Sequence, residues 1–520
     1  MSESNPTPLV KRETAAPQVR TRPEEDPEWV IATYSKHRLR EVSQELDGDL
    51  GPGREPSQYI HRVLLDMNPV HHRQSLQEQI FPNPRAVQED LLEVGKNKLL
   101  LEAAAGMGKT IFLKVYQETR LAAPPAPAYP LTVYLDLGLL PPGTGFAEFY
   151  PMFFRHAAAM VLREKEEQPG LEIREDVLQR TLKRLVAGGQ VMFLLDGLDR
   201  LAAADRLQFF HDVVIDGDVL QDNFVVIAMR PVGFGPAAAA SLVKRGRDAC
   251  FRLNFQKLED KVWKKYLGEH AHKGILDNLR LHHPDLFDTP LLLRLLKTVA
   301  QSGQLGKVTG RTRLYDVWLD LVIPWEGKEG AAPRRAALLG RLETLAFQLA
   351  AAGRLQRHLV DATDYEMELL AGEPALSNGN IVLWVLDPIL RQTSRRWEFR
   401  HPSFQEYFAG RCLAGDPDWE THLSAHCRDG HWQELLSYFI GAFAGSLDPV
   451  YDRLVGRGAL FLAGGALIEA GALSESWRLL VGQLLKYQDR EAFPQFSKNR
   501  LIQPAAVIDR MAPDTLRAVL

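Results

Sequence analysis

The apolar run Leu99-Leu100-Leu101 leads through Glu102 into Ala103-Ala104-Ala105-Gly106-Met107-Gly108-Lys109-Thr110, and this stretch constrains the chain more than any other. The run reads as a buried strand. The residues from about Thr110 through Ile111, Phe112, Leu113 and Val115 to Arg120 read as the helix that follows it. A turn between them that contains two glycines lets successive backbone N–H groups close around anionic oxygens. A lysine then reaches outer phosphates, and a hydroxyl holds Mg²⁺. Gly106, Gly108, Lys109 and Thr110 fill those roles, and the helix N-terminus adds partial positive charge. The contact set expected for a phosphate ligand runs from Ala103 to Ile111. The general pattern opens with glycine and this chain has Ala103, so the turn must tolerate a Cβ there. The competing reading is an Ala/Gly-rich helix start without a ligand.

Two further apolar runs end in charged residues. Val191-Met192-Phe193-Leu194-Leu195-Asp196 reads as a central parallel strand that delivers a carboxylate to the end of the sheet, where Asp196 would join Thr110 in holding Mg²⁺ through water. Gly197-Leu198-Asp199-Arg200-Leu201 follows. Asp199 either orients or deprotonates an attacking water, or it caps the helix starting near Leu201. Phe224-Val225-Val226-Ile227-Ala228-Met229 ends in Arg230-Pro231. Arg230 either reaches a γ-phosphate or is an ordinary surface charge.

In this order the motifs resemble the NACHT-type nucleotide switches of the STAND class, over roughly residues 60 to 440. Ala103 to Thr110 matches the family's phosphate loop, including its second alanine at Ala105. Asp196-Gly197-Leu198-Asp199 matches the acidic motif. Arg230-Pro231 matches the end of the sensor motif, with Ala228-Met229 replacing its first residues. Thr289-Pro290-Leu291-Leu292-Leu293 is similar to a helix start whose proline packs near adenine. Phe399-Arg400-His401-Pro402-Ser403-Phe404-Gln405-Glu406-Tyr407-Phe408-Ala409 is similar to the family's winged-helix signature. The resemblance implies an α/β P-loop NTPase of the additional-strand branch with a parallel sheet, followed by a helical domain, a winged-helix domain and an all-α C-terminal region. It implies ATP and ADP as cofactors with Mg²⁺, and His401 as a β-phosphate ligand in a closed, ADP-loaded state. The reading of His401 from the residue alone is a core histidine that satisfies a backbone carbonyl. ATP would open the structure for homo-oligomerisation in defence or signal transduction, with trigger and effector proteins unidentified. The family carries glutamate where this chain has Arg200, so binding is better supported than hydrolysis, and any ATPase activity is weak. A conventional AAA-like remodelling ATPase and a non-hydrolysing, nucleotide-stabilised scaffold are the alternatives.

The length of 520 residues allows three to four domains, and 45% apolar residues suffice for packed cores. The expected division is a disordered tail at 1–27, a short helical segment at 28–88 and a nucleotide domain at 89–255. A helical domain at 256–325, a winged helix at 326–415 and a helical region at 416–520, compatible with the start of a solenoid, would follow. The cysteines Cys250, Cys412 and Cys427 fit neither a disulfide framework nor a zinc site. A net charge of −4 argues against a protein built to coat nucleic acid, and DNA readout by the winged helix is not expected. No apolar segment is long enough to span a membrane and no signal core opens the chain, so a cytoplasmic location is expected. His71-His72 and His282-His283 read as solvated loop residues rather than metal ligands.

Overall fold

Apolar residues alternate between two faces along every central strand, and this builds the α/β half of the protein. The computed structural model describes residues 22–50, 64–66, 80–81, 97–103, 106–122, 129–140, 143, 145–201, 203–215, 220, 222–230, 250–255, 260–268, 273–283, 285–323, 331–352, 388–393, 396–430 and 432–469. Strands β1 (Leu64–Asp66), β2 (Ile80–Phe81), β3 (Lys98–Glu102), β4 (Leu131–Asp136), β5 (Val191–Asp196), β6 (Phe224–Met229) and β7 (Phe251–Phe255) form one sheet in the order β2-β1-β7-β3-β6-β5-β4. Leu100, Phe193, Leu195, Val225 and Ile227 pack on one face with the helices Phe149–Leu162 and Glu175–Ala187. Leu99, Leu101, Met192, Leu194 and Val226 pack on the other with Phe112, Leu113 and Tyr116 of the Lys109–Ala122 helix. This period of two is the signature of a sheet covered on both sides.

The five strands from β7 to β4 are parallel, as expected. The sheet as a whole is mixed, because β1 pairs antiparallel with β7, and β2 with β1. The strand β4, which separates the phosphate loop from the acidic motif in sequence, goes to the sheet edge. In space it is β6 that lies between β3 and β5. That insertion is the additional-strand order. It brings the ends of β3, β6 and β5 side by side, with Glu102 opposite Met229 and Asp196 opposite Ala228.

The expected N-terminal boundaries change. Residues 28–88 do not stand apart: β1 and β2 extend the sheet, and the Pro27–Leu50 helix puts Val30, Ile31 and Tyr34 into its core. Arg38 of that helix is 2% exposed and donates from Nε to Gln117 Oε1 at 3.1 Å, tying it to the phosphate-loop helix. The tail ends earlier than residue 27, since Glu24 is buried and its carbonyl accepts from Thr181 Oγ1 at 2.7 Å.

Beyond β7 the described chain is helical apart from the antiparallel hairpin β8 (Leu390–Thr393) and β9 (Arg396–Phe399). The Pro402–Ala414 helix follows the hairpin directly. Residues from the three segments expected as separate domains share one hydrophobic cluster, from Trp263 through Leu293, Leu342 and Phe404 to Leu462. Asp316 Oδ1 accepts from Tyr407 at 2.6 Å and Arg411 at 2.5 Å, while Arg411 Nε donates to Glu343 at 2.7 Å. Three helices are thereby fixed to one another, and this helical half is a single body. His283 is buried rather than solvated. His71 and His72 fall outside the described residues. Cys250, Cys412 and Cys427 are free thiols. No helix among the described residues is long and apolar enough to cross a membrane.

The Pro402–Ala414 helix approaches the Gln433–Ala442 helix so closely that a Cβ on Gly410 would lie 2.6 Å from the Leu435 carbonyl oxygen and 2.8 Å from the Phe439 nitrogen. Both neighbours are backbone and cannot rotate away. Gly410→Ala is therefore expected to destabilise the protein by about 1–3 kcal/mol in urea unfolding. An unchanged midpoint would mean that the two helices are farther apart.

Candidate nucleotide-binding site

The described part of the phosphate loop turns at its two glycines. Gly106 and Gly108 have φ of 71° and 88°, a region that side chains with a Cβ rarely enter. The buried Ala103 donates its N–H to the Met229 carbonyl at 3.1 Å, so the first loop position is held by the sheet and tolerates its Cβ. Lys109 opens the helix and donates from Nζ to the Ala103 carbonyl at 2.6 Å, spanning the loop it is meant to serve. Burial pushes the Lys109 ammonium down to about 8, against the pull of Asp199. An arriving phosphate would supply the countercharge that burial has taken away. Ala104 and Ala105 lie outside the described residues, and Met107 and Ile111 are half-buried.

Thr289 and Pro290 come to this loop. A Cβ on Gly106 would meet Thr289 Cγ2 at 2.7 Å, and one on Gly108 would meet Pro290 Cγ at 3.9 Å. The Pro290–Gln301 helix thus starts against the phosphate loop, with proline at a position where no backbone N–H is needed.

Asp196 stands at the end of β5 and its Oδ2 is heavily used. It accepts from Thr110 Oγ1 at 2.6 Å and Tyr134 OH at 3.1 Å, and Arg200 Nη2 lies 3.6 Å away. Thr110 and Asp196 are the hydroxyl and carboxylate expected to hold Mg²⁺, and the fold brings them together. The surroundings do not fit a divalent cation, because a buried guanidinium already occupies the carboxylate side of that pair.

Asp199 and Arg230 meet through the sheet. Gly197, at φ 78°, turns the chain into the short Leu198–Arg200 turn. From there Asp199 Oδ1 accepts from the Arg230 backbone N–H at 2.9 Å, and its Oδ2 lies 3.4 Å from Arg230 Nε. Burial opposes ionisation, yet Arg230 and Lys109 hold the Asp199 carboxyl below the usual carboxylate range. Arg230 is no surface charge: it is 8% exposed, and its Nη1 donates to Glu406 Oε1 at 2.6 Å. Glu406 is fully buried on the Pro402–Ala414 helix, and its Oε2 has no hydrogen-bond partner. Burial pushes the Glu406 carboxyl up against the pull of Arg230, and Glu434 adds to the rise. The sequence reading missed Glu406. Its signal was a carboxylate set within the apolar stripe Phe404, Tyr407 and Phe408, where only a paired charge can reside.

His401 is the N-cap of the same helix. Its Nδ1 accepts from the Ser403 backbone N–H at 3.1 Å and lies 2.6 Å from Ser403 Oγ, which in turn accepts from Tyr315 OH at 2.9 Å. Nδ1 is thereby engaged with Ser403, so a backbone carbonyl could be satisfied only through Nε2. Burial pushes the imidazole down to about 3, with Arg230, Arg200, Lys109 and Arg311 adding to the fall. A neutral ring whose Nδ1 accepts carries its proton on Nε2. It is preset as a hydrogen-bond donor without being a cation.

No family model matches the sequence, and no curated protein does either. Matching solved structures include Cdc6p from Pyrobaculum aerophilum, at 15% identity over 70% of this chain and 97% of that chain with a TM-score of 0.28. The Aeropyrum pernix ORC1 protein in complex with DNA matches at 13% identity over 66% of this chain and 92% of that chain, with a TM-score of 0.26. The Aeropyrum pernix ORC2 protein in ADPNP-ADP complexes matches at 13% identity over 62% and 91%, with a TM-score of 0.24. Similarity this low carries no argument about this chain. The class follows from its own geometry: a glycine turn with left-handed φ, a lysine folded over it, an intervening strand and a carboxylate on the next. That arrangement has the strand order and loop geometry of a P-loop domain, joined to a helical region.

The histidine shifts have a consequence in acid. An unfolded chain binds a proton at His401 below about pH 6.5, while the folded chain refuses it until about pH 3. Stability from this group is complete at neutral pH and is lost as pH falls through that window. His156, pushed down to about 4 by burial, acts in the same direction. In urea unfolding between pH 6 and 4, His401→Gln is expected to lower the slope of stability against pH by up to about 1.4 kcal/mol per pH unit. An unaltered slope would mean that the buried ring takes up its proton like an exposed one.

Proposed function

We propose that this protein is a nucleotide-gated switch of the NACHT type, closed by the helical body and opened when ATP replaces ADP. The observation that carries this reading is the Arg230 guanidinium, bonded at once to Asp199 in the α/β half and to Glu406 in the helical half. Lys109 and the loop would take the β-phosphate, with His401 Nε2 donating from the opposite side. A γ-phosphate would compete with Glu406 for Arg230.

The energetics favour opening rather than simple exchange. Leaving one partner of a buried ion pair uncompensated costs about 3–5 kcal/mol. Moving a two-state protein from 1:99 to 99:1 takes about 5.5 kcal/mol of differential affinity. Loss of Arg230 from Glu406 therefore supplies most of what is needed. The unpaired carboxylate regains water only if the helix bearing it moves away. The output in this reading is self-assembly in defence or signal transduction. Thr110, Asp196 and Asp199 support nucleotide retention, with hydrolysis slow because Arg200 stands where the resembled family has glutamate.

Mass photometry with ADP, ATP and a non-hydrolysable ATP analogue tests this. The analogue is expected to shift the protein to larger assemblies and ADP to leave it small. Rapid turnover without assembly would favour a remodelling ATPase, and retention with no change of state a scaffold. Lys109→Ala is expected to reduce ATP affinity by more than about tenfold with the fold intact, and equal affinity would remove the basis of the reading. Glu406→Gln is expected to shift the ATP-to-ADP affinity ratio toward ATP by about tenfold or more. An unshifted ratio would show that Glu406 does not compete with the γ-phosphate.

A further inference from the structure

The parallel register of β4 and β5 sets Asp136 directly beside Asp196 at the C-terminal ends of adjacent strands. Two carboxylates side by side, with a threonine hydroxyl within reach, are a donor set for a hard divalent cation. Here that position is filled by the chain itself. Arg200 Nη1 donates to Asp136 Oδ2 at 2.6 Å, and its Nη2 lies 3.6 Å from Asp196 Oδ2.

The seat is built for this side chain. A Cβ on Gly197 would lie 2.7 Å from both Cδ and Nε of Arg200, and one on Gly138 would lie 2.9 Å from the same Cδ. Two glycines therefore leave the room the arginine stem occupies. The side chain is 10% exposed, and the carboxylate it pairs with on β4 is 12% exposed. A guanidinium keeps its charge under such burial, where an ammonium would tend to lose it. Its field also reaches the phosphate side, since Arg200 is among the cations acting on Lys109 and His401.

We propose that Arg200 is a resident replacement for the divalent cation, so that this site takes nucleoside di- or triphosphates in their metal-free form. The proposal rests on the nucleotide-binding reading above. A guanidinium can neutralise carboxylates and donate to phosphate oxygens. It offers no open coordination position from which to polarise a phosphoryl oxygen or activate water. Retention of nucleotide with little turnover follows from that difference.

Two measurements on the full-length chain test this. In competition binding against a fluorescent ADP, the wild type is expected to hold ADP within about threefold equally in excess Mg²⁺ and in excess EDTA. Arg200→Gln frees both carboxylates for a metal, and is expected to bind more than about tenfold more weakly in EDTA, with Mg²⁺ restoring affinity. A wild type that loses more than about tenfold in EDTA would overturn the proposal. Absence of binding in both buffers, with Lys109→Ala indistinguishable from wild type, would instead overturn the nucleotide-binding reading itself. The second measurement does not depend on a variant that may not fold: equilibrium dialysis of the wild type against Mn²⁺ alone. Little metal is expected at the seat, and one tightly held Mn²⁺ per chain that persists when Glu167→Gln removes the exposed donor of the His37, Glu164 and Glu167 group would show that Arg200 does not fill it.

Discussion

A buried guanidinium divided between two carboxylates is the constraint on which the arrangement of this protein depends. Arg230 sits at the end of β6, the strand that separates the phosphate-loop strand from the Asp196 strand. From that position it takes one partner from each half of the molecule, Asp199 beside it and Glu406 across the divide. This cation acts on both carboxylates, joined by Lys109 and Arg200 at Asp199 and opposed by burial at Glu406. The closed arrangement is thus held by a polar contact with a definite geometry beside the packing of Thr289, Pro290 and Leu291 on the phosphate loop, while the large apolar clusters build each half separately. Hydrophobic burial is non-directional and would give only a graded adhesion. An ion pair this deep is either made or broken, a sharper property than area alone can give.

Arg200 and Arg230 lie on neighbouring elements and are both buried, yet they are placed for opposite behaviour. Arg200 pairs within one domain and is wedged by Gly138 and Gly197, so nothing in its surroundings gives way when the helical half moves. Arg230 spans two bodies, and its partner on the far side belongs to a helix fixed by the Asp316, Glu343 and Arg411 network. One cation is part of the permanent site. The other reports on where the helical half is.

Much of the sheet could be read from the chain, because each central strand is a short apolar run ending in a charge. The limits of β5 and β6 agree with the apolar runs Val191 to Asp196 and Phe224 to Met229 to the residue. β2 and β7 gave no such signal: the first is two residues long, and the second carries Arg252 and Asn254. The direction of β1 was equally hidden, since an edge strand's pairing depends on partners far away in sequence. The site was half legible. Local spacing announces the loop, Lys109, Thr110 and Asp196, because their chemistry is carried by neighbours. Glu406 and the Asp136–Arg200 pair are contacts made across 176 and 64 residues, and no local pattern encodes them. Packing between segments was hidden for a related reason: loops and composition mark where elements end, while the shared cluster from Trp263 to Leu462 depends on which faces meet.

The Pro27–Leu50 helix is buried against the α/β half, whereas the Leu460–Glu469 helix belongs to the core of the helical half. The two ends of the described chain are therefore carried by different bodies. Parting of Arg230 from Glu406 would change the distance between those ends without unfolding either half. Donor and acceptor dyes placed on the two helices would convert the state of a single buried ion pair into a change of energy transfer. Any module joined ahead of the first helix would turn with the nucleotide, and any joined beyond the second would turn with the lid.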